Sequence, residues 1–132
     1  MTNFIHQELS NQVLKCFFTV YNKLGFGFLE KVYLNAMMIE LIRIGLKAEK
    51  QKQIKVYYDD LMVGEYYADL IVEDTIILEL KAAEGIAEEH GLQLINYLKA
   101  TEIEIGLLLN FGKRPEFKRK IFTNDRKYRA AK

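Results

Sequence analysis

Apolar residues recur at helical spacing from Thr2 to about Leu24, through Ile5, Leu9, Val13, Cys16, Phe17, Val20 and Leu24, and predict a first helix. Gly25 and Gly27 end it. A second helix is predicted from about Phe28 to Ile44, with Leu29, Val32, Tyr33, Ala36, Ile39 and Ile42 as its apolar stripe and Gly45 as the residue just past its end. Strands are then expected at Gln53 to Tyr58, Met62–Val72 and Ile76–Lys81, the first two separated by the turn-forming pair Asp59-Asp60. A third helix is predicted over about Ile86 to Ala100. The nearly continuous apolar run Ile105 to Phe111 reads as an interior strand, and Phe117 to Phe122 as an edge strand. The order α, α, β, β, β, α, β, with a last β, describes an α/β sandwich with a mixed sheet.

Composition agrees with one folded unit. The 132 residues suit a single domain, half of them are hydrophobic, and Pro115 is the only proline. The one cysteine, Cys16, excludes an intramolecular disulfide; its neighbours Leu14, Phe17 and Phe18 suggest a buried structural thiol. No apolar run approaches the ~20 residues that span a bilayer, and the first ten positions lack a signal pattern, so a cytoplasmic location without a membrane partner is expected. The net charge of +1 hides an asymmetry, because residues 113–132 hold nine Lys/Arg against two acids. Such a basic segment is either an electrostatic footprint for nucleic acid or a solvated, partly frayed terminus.

One feature breaks the pattern of a plain core. Asp69 and Glu79 both lie in strands that are otherwise strongly apolar, and a carboxylate there is costly to desolvate unless paired, hydrogen-bonded or bound to a cation. Side chains alternate along a strand, so Glu79 and Lys81 share a face. Loop parity decides whether Asp69 joins them. A two-residue loop would set Asp69 opposite Leu80. A three-residue loop, Glu73-Asp74-Thr75, pairs Val72 with Ile76 and places Asp69 opposite Glu79, with Cβ atoms ~4.5–5.5 Å apart. In that register Tyr67 lies opposite Lys81, and Ala68, Leu70 and Val72 face Leu78 and Leu80 in a wholly apolar surface. Two carboxylates at that separation repel, and a hard cation such as Mg²⁺ would relieve the repulsion while keeping several waters. The plainer alternative is an ion pair at a strand end.

The stretch Gly27-Phe28-Leu29-Glu30-Lys31-Val32-Tyr33 matches a G-x-x-E-x-x-Y signature. With Gly64-Glu65-Tyr66-Tyr67-Ala68-Asp69-Leu70, Glu79-Leu80-Lys81-Ala82, His90 to Thr101 and Gly106 to Gly112, the chain resembles the GxxExxY proteins, a branch of the PD-(D/E)XK nuclease superfamily. The ordered blocks cover roughly residues 5–122. Phe26 is the one departure, standing where relatives often carry proline. The resemblance implies a restriction-endonuclease-like α-β-β-β-α-β core, with a central mixed sheet flanked by helices and an extra N-terminal helix. It also implies that Asp69 and Glu79 bind a metal, that Lys81 is the catalytic lysine, that Glu30 is an additional acid from the first core helix, and that Gln93 and Tyr97 border the active centre. Mg²⁺ or Mn²⁺ would be the cofactor.

The residues themselves leave alternatives. Glu30 sits in the first turn of its helix, where a carboxylate also complements the dipole. His90, Gln93 and Tyr97 form one polar stripe, able to meet a phosphate or simply water. His90 is expected at the rim of the site rather than on a metal, for lack of a second ligand at suitable spacing. His6 is expected at the surface. Three functions compete. The first is metal-dependent hydrolysis of phosphodiester bonds in nucleic acid, with DNA the favoured polymer. The second is a nucleic-acid-binding or regulatory module with the same fold and little or no cleavage. The third is a phosphohydrolase of small nucleotides, which would need a closed pocket rather than a broad groove. Phe26, Phe28, Tyr57, Tyr58 and Tyr66 in expected turns and strands suit a homodimer contact.

Overall fold

The computed structural model describes residues 5–128. The described elements are helix α1 (Gln7–Leu24), helix α2 (Glu30–Arg43), strands β1 (Ala48–Tyr58), β2 (Leu61–Val72) and β3 (Ile76–Lys81), helix α3 (Glu88–Lys99), strands β4 (Ile105–Phe111) and β5 (Pro115–Ile121), and a short 3₁₀ turn, Asn124–Arg126. The predicted start of the first helix at Thr2 falls outside the described residues, as do residues 129–132 of the basic segment. The rest of that segment is a strand and a turn rather than a frayed end.

The strands form one sheet in the order β1-β2-β3-β4-β5. Only β3 and β4 run parallel; the other neighbours are antiparallel. A parallel pair needs a crossover, and α3 supplies it. Helices α1 and α2 cover one face, where Val13, Phe17, Tyr33, Met37 and Leu41 meet Leu70, Leu78 and Leu107. Helix α3 covers the other, where Leu94, Tyr97 and Leu98 meet Ile71, Ile77 and Leu108. Every residue of β4 is buried, which explains its unbroken apolar sequence. Gly106 lets α3 settle on the sheet, since a Cβ there would lie 2.6 Å from a methyl of Leu94.

The glycine turn between α1 and α2 is tied by a buried tyrosine. Gly25 and Gly27 adopt left-handed φ of 68° and 108°. The Tyr33 hydroxyl donates to the Gly25 carbonyl at 2.8 Å and accepts from the Phe28 N–H at 3.2 Å. Its ring stacks on Phe111 with centroids 4.2 Å apart, and Phe17 meets Phe111 edge-on at 4.8 Å. Such aromatic pairs contribute ~0.5–1.5 kcal/mol each beyond the area they bury. Gly45 closes α2 as expected, with φ 87°. Cys16 is buried, and desolvation pushes its thiol up from the ordinary range.

Two sequence expectations change here. The expected apolar stripe of α2 is only partly inward: Tyr33 is buried and Ala36 packs against the core, but the other buried residues are Leu34, Met37 and Leu41, whereas Leu29, Val32, Ile39 and Ile42 are exposed. The helix is apolar on two sides, so periodicity alone picked the wider one. Strand β1 also begins earlier than Gln53. Its first residues are rich in Lys, Glu and Gln and carry no strand pattern, yet pair with β2 from Ala48 onward.

Candidate active site

Strands β2 and β3 begin as an ordinary hairpin. The loop Glu73-Asp74-Thr75 has three residues, and Val72 pairs with Ile76, Ile71 with Ile77 and Leu70 with Leu78. Glu73 and Asp74 both take the left-handed φ of 53° that such a loop demands. The ladder then stops. One step beyond it, Asp69 N–H donates to Glu79 Oε2 at 3.0 Å, and Leu80 N–H donates to Asp69 Oδ2 at 2.8 Å. The carboxylates thus replace the carbonyls that the diverging strands no longer bring together. Each keeps its second oxygen, Asp69 Oδ1 and Glu79 Oε1, without a hydrogen-bond partner among the described residues.

This geometry has an electrostatic cost. Glu79 is 5% exposed, and burial, then the Asp69 carboxylate, push its pKa up to about 8, against the Asp69 N–H and Lys81, with Glu30 adding to the rise. Burial also raises Asp69, opposed by the Leu80 N–H and by Lys81 and reinforced by Glu30. Lys81, at the end of β3 and half buried, therefore favours the charged form of both acids. Its backbone lies opposite Asn110 on β4. Asn110 is fully buried and clamps the segment just past Lys81: its Oδ1 accepts from Ala83 N–H, and its Nδ2 donates to Ala83 carbonyl, both at 3.0 Å. Gly112 permits that approach, since a Cβ there would stand 2.2 Å from the Ala83 carbonyl.

The remaining candidates divide. Glu30 is the first residue of α2, exposed, and its charge reaches both acids. Tyr33 anchors the turn from which Glu30 projects, so the tyrosine of the signature supports the frame rather than the chemistry. Tyr97 on α3 is 5% exposed and stacks obliquely on Tyr66 at 5.5 Å. Its hydroxyl is pushed up to about 12 by burial and by the charges of Glu79 and Asp69, so it holds its proton at neutral pH. Gln93 is exposed and lines, with Tyr97, Tyr66, Tyr57 and Asn96, a trough of about 1060 Å³. It has no hydrogen bond to the carboxylates. The Nδ1 of His90 accepts from the Ala87 N–H at 3.2 Å, so this histidine caps α3. Ala68 differs from expectation, since it packs in the α3 core with Ile71 and Ile77, not with Leu70 and Val72.

Among the described residues no three His, Cys, Asp or Glu side chains are gathered tightly enough to form a complete ligand set. A buried and a half-buried carboxylate, each with one free oxygen, nevertheless fit a hard divalent cation that keeps most of its water. The cation would offset the repulsion that raises Glu79. Sequence reasoning missed Lys31, Lys50 and Gln51, which share a cavity with Glu30 and Asp69. Nothing in their residue types could have marked them.

Comparisons with known proteins bear on the family and the fold. A family model described as the PD-(D/E)XK nuclease superfamily matches residues 7–120. The fold is similar to a solved structure titled "Crystal structure of SSO0001", with a TM-score of 0.55 and 18% identity over 70% of this chain. The match spans 48% of that longer chain. No curated protein matches.

Proposed function

The chain belongs to the PD-(D/E)XK nuclease superfamily, and we propose that it is a divalent-metal-dependent nuclease cleaving phosphodiester bonds in nucleic acid, DNA in preference to RNA. Within the superfamily we assign it to the GxxExxY branch on its ordered motifs. The observation that carries the proposal is the reciprocal capture of Asp69 and Glu79, two acids forced together beside a lysine where the β2–β3 ladder ends.

Asp69 and Glu79 would hold Mg²⁺ or Mn²⁺ through their free oxygens, with Glu30 approaching from α2. The bound ion would supply a Lewis acid and an activated water. Lys81 places an ammonium beside the acids, where it stabilises charge developing on the phosphate. Tyr97, protonated at neutral pH, donates a hydrogen bond from the α3 side, and Gln93 meets the substrate along the trough. Exposed Lys113, Arg114 and Lys118 offer further phosphate contacts. The intact acid–acid–lysine set supports cleavage over a purely binding module.

Isothermal titration of Mn²⁺ into the wild type and Glu79→Ala, with cleavage assays on labelled DNA and RNA, tests the proposal. Binding and cleavage by the wild type, lost in the variant, are expected. A wild type that binds no metal and cuts neither polymer would overturn it. The residues suited to a homodimer contact are exposed, and light scattering at micromolar concentration decides that reading: a monomer removes it. Among the described residues no helix is long and apolar enough to cross a membrane.

A further inference from the structure

We propose that Lys50 and Gln51 of β1, with Lys31 of α2, form a subsite for a backbone phosphate of nucleic acid beside the carboxylates. The proposal rests on the nuclease reading and names how its substrate is held. A cavity of about 400 Å³ lies where α2 approaches the β1–β2 pair, lined by Glu30, Lys31, Asn35, Lys50, Gln51 and Asp69 among others.

The sheet is bent to build this cavity. Ala48 packs with the α1–α2 core, whereas Ile54 is buried in the α3 core. The two have the same strand parity, so a regular strand would leave them on one face. On β2 the same change occurs between Ala68, in the α3 core, and Leu70, in the α1–α2 core. The register runs from Lys50↔Leu70 to Lys52↔Ala68 and skips the residues between, Gln51 and Asp69. Gln51 has φ 53°, a conformation that glutamine rarely adopts and that costs free energy wherever it occurs. Without this left-handed residue, Lys50 would continue the face of Lys52 and Ile54. With it, Lys50 stands on the α2 side, in the cavity that holds Glu30 and Asp69.

The two lysines that line the cavity are left uncommitted. Lys47 pairs with Asp74 at 2.9 Å and Lys52 with Glu49 at 3.0 Å. Lys50 and Lys31 have no ion pair or side-chain hydrogen bond among the described residues. A phosphodiester approaching Asp69 and Glu79 meets like charge, and these two ammonium groups offset it. Their Nζ donors and the Gln51 amide suit the non-bridging oxygens of a phosphate.

The test measures binding apart from cleavage. Labelled single- and double-stranded oligonucleotides are titrated by fluorescence anisotropy in EDTA against wild type, Lys50→Ala, Gln51→Gly and, as a control on the other face, Lys52→Ala. Inorganic phosphate competes in a parallel series. Lys50→Ala is expected to weaken oligonucleotide binding about tenfold and to lower the salt dependence by about one phosphate contact. Lys52→Ala is expected to change affinity less than about twofold. Gln51→Gly relieves the left-handed strain, so its melting temperature is expected to rise while its affinity falls several-fold. Binding by Lys50→Ala and Gln51→Gly equal to wild type overturns the subsite, as does a wild type that binds neither polymer. Should Gln51→Gly not fold, Lys50→Ala decides alone. Displacement by millimolar phosphate as effective as by oligonucleotide would make it a site for the free anion instead, and overturn it. A wild type that binds but never cuts sinks the nuclease reading alone.

Discussion

The β2–β3 hairpin has two ends built on different principles. Near its loop, Leu70–Val72 and Ile76–Leu78 form a regular ladder between apolar residues, satisfied by backbone groups. At the far end, Asp69 and Glu79 supply side-chain oxygens where carbonyls no longer reach. The closed end stabilises by burial. The open end gives up ladder bonds and gathers negative charge, which is tolerable because each acid satisfies a backbone N–H of the other strand. A functional site can thus be an interruption of the core that remains hydrogen-bonded.

The sharpest test of that contrast is at the open end. Lys81→Met should lower cleavage by about 10³-fold or more, equivalent to ~4 kcal/mol of transition-state stabilisation, with little change in melting temperature. A matching loss of stability would place Lys81 in the frame instead. At the closed end, Leu78→Ala should cost ~2–5 kcal/mol in urea unfolding, because a fully buried leucine leaves a cavity. A smaller loss would mean that the ladder end is not the rigid part.

Protonation separates the two ends further. The folded pKa of Glu79, about 8, lies above its ordinary value of 4.5, so the folded state binds a proton that the unfolded state has released. The contribution of Glu79 to metal-free stability is therefore full below about pH 4.5, falls as pH rises to about 8, and levels beyond. At its steepest this contribution is about 1.4 kcal/mol per pH unit. Glu79→Gln should flatten that fall, and saturating Mn²⁺ should reverse it; an unchanged pH profile in the variant would contradict the burial argument. The smallest effect is expected at the turn. Tyr33→Phe removes two hydrogen bonds and should cost ~1 kcal/mol or somewhat more, with Mn²⁺ affinity reduced only through Glu30. A loss as large as that of Leu78→Ala would make the turn part of the core rather than its support.

Much of this contrast was legible in the sequence, for reasons that are local. The three-residue loop fixed the pairing of Val72 with Ile76, and parity then brought Asp69 to Glu79. The continuous apolar run marked β4 as interior. The reversal of faces at Gln51 was not legible, because left-handed backbone at a glutamine has no compositional sign; hence Ala68 was assigned to the wrong core. In α2, two apolar sides compete, and only packing decides that Tyr33, Met37 and Leu41 go inward. The capping bond of His90 to the Ala87 N–H was not legible either, because a histidine three residues into a helix is no usual capping signal.

The clamp of Asn110 on Ala83 also makes the site depend on contacts of very different reach along the chain. The acids meet across a short hairpin loop, a closure of small entropy that a folding chain reaches early. The segment after Lys81 is secured only by a residue 27 positions along the chain, after α3 has crossed over and β4 has docked. Non-local parallel pairing of this kind is slow. The acids are thus joined by contacts local in sequence, whereas the burial that raises Glu79 draws on β4, which lies far along the chain.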